Sequence, residues 1–128
     1  MRFAKRVFLF AGIWGVLIMG LNFFNERWIA LHDPPALNHP EFFYGFNAVG
    51  IAWQVLFLLL SRDPVRYRPL MPAAMVEKFA YVTAIAVLFS LSRVSTFVFA
   101  FTATDLTLGI LFVIAYLKTP VRDYGAAS

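Results

Sequence analysis

Cysteine is absent from this 128-residue chain, and charged side chains are scarce. Without thiols the chain can form no disulfide, thiolate metal site or redox-active dithiol, which excludes thiol-dependent quinone or epoxide reduction. Charged residues make up 14% of the sequence, whereas a soluble domain usually carries about 25%. Because 61% of the residues are hydrophobic, so short a chain could not bury its apolar surface in water. We therefore expect a single transmembrane domain over residues 1–128.

Recognisable catalytic and cofactor motifs are also absent. There is no Ser-His-Asp arrangement, no glycine-rich phosphate loop and no HExxH run, so neither a hydrolase nor a nucleotide-binding protein is indicated. His32, Asp33, His39 and Glu41 come close together in a proline-containing segment, but their spacing matches no metal-ligand pattern. We expect no metal site and no cofactor.

Four long apolar runs account for most of the chain. Each is long enough to cross the hydrocarbon core of a bilayer as a helix: 7–24, 42–60, 73–91 and 97–117. Proline-containing segments separate the first three runs, and a short turn separates the last two. The apolar residues 29–31 indicate a further short segment on the membrane surface. The pattern predicts an all-α fold, an integral membrane four-helix bundle with antiparallel neighbours.

The first run also has features of a secretory signal peptide, because basic residues precede it. It is longer than a usual signal-peptide apolar region. Asn22, Asn25, Glu26 and Arg27 follow in place of a small-residue cleavage site. We therefore expect a retained membrane helix.

Positive charges are distributed unevenly between the connections. Eight of the 11 basic residues lie before the first run, between the second and third runs, or after the fourth. Arg27 and Arg93 lie in the other two connections, and Lys78 lies inside the third run. The positive-inside rule then predicts both termini in the cytoplasm. Because the net charge of +4 comes from residues at the ends of apolar runs, we expect no nucleic-acid partner.

Asp105 is the one charged residue in the fourth run, and it lies near the middle. A carboxylate at that depth costs several kcal/mol unless it is paired, hydrated or protonated. Thr102 is placed to hydrogen-bond to it from the preceding turn, and Arg93 is its expected electrostatic partner. Asn47 and Gln54 share one face of the second run, where Gln54 reaches a similar depth. These polar groups are expected to meet near the midplane.

Two interpretations of this polar set remain open. It could line a cavity suited to proton exchange or to a cationic or hydroxyl-bearing ligand, or it could be a structural clamp between helices. Arg93 could equally be an interfacial anchor. The aromatic segments 42–46 and 97–101 could be packing bulk or the walls of a pocket for a lipid-, sterol- or quinone-like molecule.

Glu77 and Lys78 lie in the second turn of the third run. We expect Lys78 to extend toward the headgroups and Glu77 to accept hydrogen bonds from arginines of the preceding loop. Adjacent helical residues point about 100° apart, so no direct pair between them is expected. Glu77 could alternatively serve as a cytoplasm-facing proton or ligand site.

The run DPVRYRPLMPAAMVEKF at 63–79, the long first loop and the four short helices resemble small bacterial membrane proteins of unassigned function. The general layout is similar to the DoxX-like group. This resemblance implies a multi-pass protein of the bacterial inner (plasma) membrane and transfers no catalytic residue. Small multidrug transporters also have four helices of similar length. Their membrane-embedded glutamate lies in helix 1, which has no acid here.

The leading hypothesis is a small integral membrane protein that binds an apolar or lipid-like molecule in a polar-lined intramembrane pocket. The candidate ligand-binding residues are the polar groups expected at or within the membrane: Asp105, Arg93, Gln54, Asn47, Thr102 and Glu77. One alternative is an accessory or assembly subunit of a larger membrane complex. Another is a membrane enzyme, such as an isomerase, with Asp105 or Glu77 as acid–base group. Membrane lipid is an expected partner; the sequence leaves open whether the chain is an enzyme and whether it forms a homo-oligomer.

Overall fold

The computed structural model describes residues 2–122, in which there are five α-helices and no strand. Their bounds are α1 Arg2–Asn22, α2 Glu26–His32, α3 Pro40–Arg62, α4 Met71–Ser90 and α5 Thr96–Lys118. A 3-10 turn at Arg68–Leu70 leads directly into α4. The all-α prediction is confirmed, and four of these helices are long and apolar enough to cross a membrane.

Two helices extend clearly beyond the apolar runs. α1 begins at Arg2 rather than at residue 7, and α3 covers Pro40–Arg62 rather than 42–60. Proline is tolerated in the first turn of a helix, and basic residues continue it. Hydropathy therefore marks the part of a helix that lipid can cover and not its whole hydrogen-bonded length.

A tight turn joins α4 to α5 and sets their antiparallel packing. Ser92 has a φ of 57°, and its N–H donates to the carbonyl of Phe89 at 2.9 Å. The Arg93 N–H donates to the Leu88 carbonyl at 2.8 Å, which completes a Schellman-type helix end. Ser95 then caps α5 by accepting a hydrogen bond from the Val98 N–H at 3.3 Å.

The four long helices form a ring in which neighbours are antiparallel. α1 packs most closely on α3, α4 packs on α5, and α1 also contacts α5. α3 and α4 touch least, and one of their contacts is the stacking of Phe46 on Tyr81 at 5.7 Å. This loose side of the ring leaves room between the helices.

Glycine brings α1 and α3 together at two successive levels. A Cβ at Gly15 would overlap the side chain of Gln54, and a Cβ at Gly50 would overlap the side chain of Met19. Each glycine thus accommodates a long side chain from the opposite helix, as expected where small residues let membrane helices approach. The two contacts set the register of the pair.

The packed half of the bundle contains the first turns of α1 and the last turns of α3 and α5. Phe8 stacks on Phe112 with ring centroids 4.5 Å apart, and Phe57 meets Phe112 edge-on at 5.0 Å. All three rings are buried. Smaller buried side chains fill the space around them: Ala4, Ala11, Leu60, Met71, Ala74 and Ala115.

The outside of the bundle is apolar, and several polar side chains are inside. Leu9, Val49, Val76 and Leu117 are among the many exposed large hydrophobic residues. The buried polar and charged residues include Asn47, Gln54, Lys78, Thr102 and Thr119. A protein surrounded by water shows the reverse distribution, so this arrangement is compatible with a helical bundle in lipid.

Candidate functional site

A cavity of about 290 Å³ lies among the four long helices. It occupies the part of the bundle beyond the phenylalanine cluster, which we call the cavity half, around Gly15, Gln54 and Asp105. The loose contact between α3 and α4 leaves this space open. Five of its lining residues are aromatic: Trp14, Phe46, Trp53, Tyr81 and Phe101.

Three charged side chains meet at one side of the cavity. The Lys78 Nζ donates to Asp105 Oδ1 at 2.9 Å and lies 3.5 Å from Glu77 Oε2. Lys78 is only 5% exposed, and its Nζ also lies 5.5 Å from the centre of the Phe57 ring. With all three groups ionised, two carboxylates face one ammonium. The cluster is paired but keeps one negative charge.

Two buried acceptor atoms have no hydrogen-bond partner. Gln54 donates through Nε2 to the carbonyl of Gly50 at 3.1 Å, so its Oε1 points elsewhere and accepts nothing. The Gly50 carbonyl can only accept, which determines the orientation of the amide. Glu77 Oε2 is the other such atom within residues 2–122. A buried polar atom without a partner costs about 1–3 kcal/mol, so Gln54 Oε1 indicates a place where a donor is missing. Glu77 Oε2 is compensated in part by the Lys78 ammonium at 3.5 Å.

An asparagine pair lies toward the far end of α1. Asn22 lines the cavity and donates through Nδ2 to Asn47 Oδ1 at 2.9 Å. Asn47 is fully buried and donates through Nδ2 to the Phe43 carbonyl at 2.8 Å. Both amide atoms of Asn47 are therefore hydrogen-bonded within the protein, and Asn47 holds the Asn22 side chain in place.

The structure brings together only part of the residue set that the sequence suggested. Gln54, Glu77 and Asp105 line the same cavity. Arg93 does not line it, and the expectation that it pairs with Asp105 is corrected: the partner is Lys78. The reason is local, because Arg93 follows the helix-ending turn of α4 and is exposed there.

The expected hydrogen bond between Thr102 and Asp105 is not formed. The Thr102 hydroxyl donates instead to the carbonyl of Val98, one turn earlier in α5, at 2.8 Å. Thr102 is buried but does not line the cavity. A threonine inside a helix readily donates to the carbonyl four residues earlier, which satisfies it without a second helix.

The expectations for Lys78 and Glu77 are also corrected. Lys78 turns into the bundle rather than toward the headgroups, and it approaches Glu77 although the two are adjacent. Glu77 is next to Lys78 and makes no ion pair with an arginine of the preceding loop. Gly109 provides the room: a Cβ there would lie 3.2 Å from the Cβ of Lys78. Close approach of α4 and α5 therefore directs the lysine inward.

One feature of the sequence could have revealed the lysine pair. The short turn forces α4 and α5 to run antiparallel. At 1.5 Å per residue, Lys78 lies about 20 Å before the turn and Asp105 about 15 Å after it. A lysine side chain can span the difference, so the two opposite charges are natural partners.

The short helix α2 lies near the ends of α3 and α5. Tyr44 donates to Glu26 Oε2 at 2.7 Å, and the ring of Trp28 lies 6.0 Å from that of Phe97.

A metal site is not formed by the described residues. Within residues 2–122 no group of three or more His, Cys, Asp or Glu residues is placed to hold a metal ion.

No family model matches the chain, and the comparisons with curated proteins and with solved structures give no match. The site is therefore interpreted from its own geometry.

Proposed function

We propose that this chain is a small multi-pass membrane protein that binds an apolar or lipid-like molecule in the cavity between its helices. The observation that carries the proposal is a space of about 290 Å³ with five aromatic side chains in its wall, where the buried Lys78 meets the partly buried Glu77 and Asp105. Ligand sites combine apolar walls with a few polar groups in this way. Ionisable groups inside a membrane bundle are costly, and they usually mark a function.

The proposed orientation has both chain termini in the cytoplasm. Contacts bring basic residues from different segments to one end of the bundle. Arg68 donates through Nε to the Thr119 carbonyl at 2.8 Å, and the Lys118 Nζ lies 4.6 Å from the centre of the Phe3 ring. The opposite end carries Arg27 and Arg93. This asymmetry supports the orientation, and the resemblance to small bacterial membrane proteins supports a bacterial inner membrane.

Tryptophan fluorescence can test ligand binding directly. Trp14 and Trp53 line the cavity, whereas Trp28 lies on α2 outside it. In Trp28→Phe protein in phosphatidylcholine nanodiscs, we expect 11-bromoundecanol to quench the two remaining tryptophans with a saturable dependence on concentration. Gln54→Leu and Asp105→Asn should each weaken this binding by about tenfold, since the first removes an acceptor and the second a negative charge.

Thr107→Val is the matched control for these variants. Thr107 lies on the same helix as Asp105, but it is exposed and bonds only to the carbonyl of Ala103. Its substitution should leave the titration unchanged. Quenching that rises without saturation, and equally in every variant, would mean that the probe only partitions into lipid, and the proposal would be rejected.

The charge cluster also supports a second candidate, an intramembrane enzyme of the isomerase type. Glu77 and Asp105 face a cavity while Lys78 lies between them, which provides acid–base groups next to a space for substrate. Turnover of a cavity-bound molecule that Glu77→Gln and Asp105→Asn both abolish would support this candidate. Turnover rates that are unchanged in both variants would exclude the isomerase candidate.

A further inference from the structure

The buried side-chain atoms of the cavity residues that form no hydrogen bond are acceptors. The buried side-chain atoms without a hydrogen bond in residues 2–122 are Gln54 Oε1 and Glu77 Oε2, and both are oxygens. Glu77 Oε2 has only the ion-pair contact with Lys78 Nζ at 3.5 Å. Lys78 also donates to Asp105 at 2.9 Å, so one ammonium serves two carboxylates. The Gln54 amide nitrogen donates to the Gly50 carbonyl. Tyr81 carries a hydroxyl that can donate or accept, so it favours neither kind of ligand. A ligand that completes this site must bring hydrogen-bond donors.

The net charge of the Glu77, Lys78 and Asp105 cluster also restricts which headgroup can bind. Glu77 and Asp105 together exceed the single charge of Lys78, so the ionised cluster has a net charge of −1. A buried charge without compensation is unfavourable. A cationic headgroup would neutralise the cluster, whereas a carboxylate or phosphate headgroup would add to the imbalance and face the free acceptors.

The remaining walls fit an apolar tail. Trp14, Phe46, Trp53 and Phe101 offer ring surfaces and no charge. Phe46 also stacks on Tyr81, which closes the cavity between α3 and α4 at that level. A linear alkyl chain can lie along these rings while its head remains at the charged side.

We propose that the ligand is an amphiphile with a primary ammonium headgroup, which donates to Gln54 Oε1 and Glu77 Oε2. This inference rests on the proposed function, because it assigns the chemistry of a ligand in the same cavity. The ammonium supplies a second positive charge for the two carboxylates, which share only Lys78 in the protein, and it brings further N–H donors.

Competition among four decyl compounds separates these properties. Each compound displaces 11-bromoundecanol from the Trp28→Phe protein in nanodiscs at pH 7. Decylamine has charge and donors, decyltrimethylammonium has charge alone, decanol has a donor alone, and decanoate has the opposite charge. We expect decylamine to be tightest, decyltrimethylammonium and decanol each weaker by about tenfold, and decanoate weakest.

Two substitutions test the assigned oxygens. Glu77→Gln removes the excess charge, so decylamine should lose its advantage over decanol. Gln54→Leu removes an acceptor, so the gap between decylamine and decyltrimethylammonium should narrow. The control Glu41→Gln makes the same charge change at a side chain that is 63% exposed outside the cavity, and it should preserve the ranking.

The outcomes separate the two proposals. If 11-bromoundecanol does not bind, the proposed function fails. If it binds and the four compounds displace it equally, or decanoate is the tightest, the cavity binds ligands but the ammonium inference is overturned. Equal affinities of decylamine and decanol for the unsubstituted site would also overturn it, because Glu77 would then carry a proton. The ranking in the unsubstituted site decides the matter even if a variant fails to fold.

Discussion

Near the first turns of α1, three phenylalanine rings from three helices lie with centroids 4.5 to 6.1 Å apart. Farther along the same helices, Gln54 and Asp105 border an open space of about 290 Å³. The two buried side-chain atoms without a hydrogen-bond partner in the described part of the chain both line that space. The packed half is filled by apolar side chains, and the cavity half contains charged and amide side chains with two oxygens that accept no hydrogen bond.

The contrast shows that helix formation alone does not decide where a bundle closes. α1, α3 and α5 contribute to both halves. Phenylalanine and alanine fill the first, while glycine, amide and charged side chains form the second. Features that disagree with good packing concentrate where a protein functions. The packed half then supplies the stability that the cavity half lacks.

The largest effect on the free energy of unfolding is expected from a substitution that creates a cavity in the packed half. Phe112→Ala removes a ring that is fully buried between Phe8 and Phe57. It should lower the free energy of unfolding by about 3–5 kcal/mol, measured by SDS-induced unfolding in mixed micelles. Phe101→Ala in the cavity half is the control and should cost about 1 kcal/mol or less, because Phe101 is exposed. Equal losses would remove the distinction between the halves.

Lys78→Met should have the next largest effect. It leaves the partly buried Asp105 and Glu77 without their cation, which should cost about 3 kcal/mol of unfolding free energy. Adding Asp105→Leu should restore most of that loss, because an ion pair can often be replaced by apolar groups. Additive losses in the double variant would show that the two side chains do not interact.

Gly15→Ala should disturb the boundary of the cavity. The new methyl group overlaps the Gln54 side chain, so we expect a loss of about 2 kcal/mol in the same unfolding assay. Gly20→Ala is the matched control, because nothing lies within 4 Å of a Cβ there. It should be neutral or stabilise α1 by about 0.5 kcal/mol. If both variants behave alike, the contact between Gly15 and Gln54 has no energetic role.

The smallest expected effect is at the turn beyond the cavity half. Ser92 has a positive φ, so Ser92→Gly should raise the free energy of unfolding by about 1 kcal/mol. Ser90 is the last residue of α4, and its hydroxyl donates to the Val87 carbonyl at 2.7 Å. Ser90→Gly should instead lower the free energy of unfolding by a few tenths of a kcal/mol. A loss at both positions would contradict the assignment of this turn as the strained end of α4.

Much of the fold could be predicted from local patterns. Long apolar runs are enough to predict helices, because helical hydrogen bonds join residues four apart in the chain. The site was only partly predictable. Gln54, Glu77 and Asp105 were identified as polar groups in apolar runs. Lys78 was assigned to the headgroups, and Arg93 was left as either the partner of Asp105 or an interfacial anchor.

The sequence by itself determined that the chain is helical, that four helices are apolar enough for a membrane, and that an acid lies inside one of them. Only the tertiary structure decided that Lys78 is the partner of that acid and that Gln54 and Glu77 each keep an oxygen without a hydrogen bond. The physical reason is that composition and periodicity act within a helix, whereas ion pairing depends on the register between helices. That register is set by contacts such as Gly15 with Gln54 and Gly109 with Lys78, which join residues far apart in the chain.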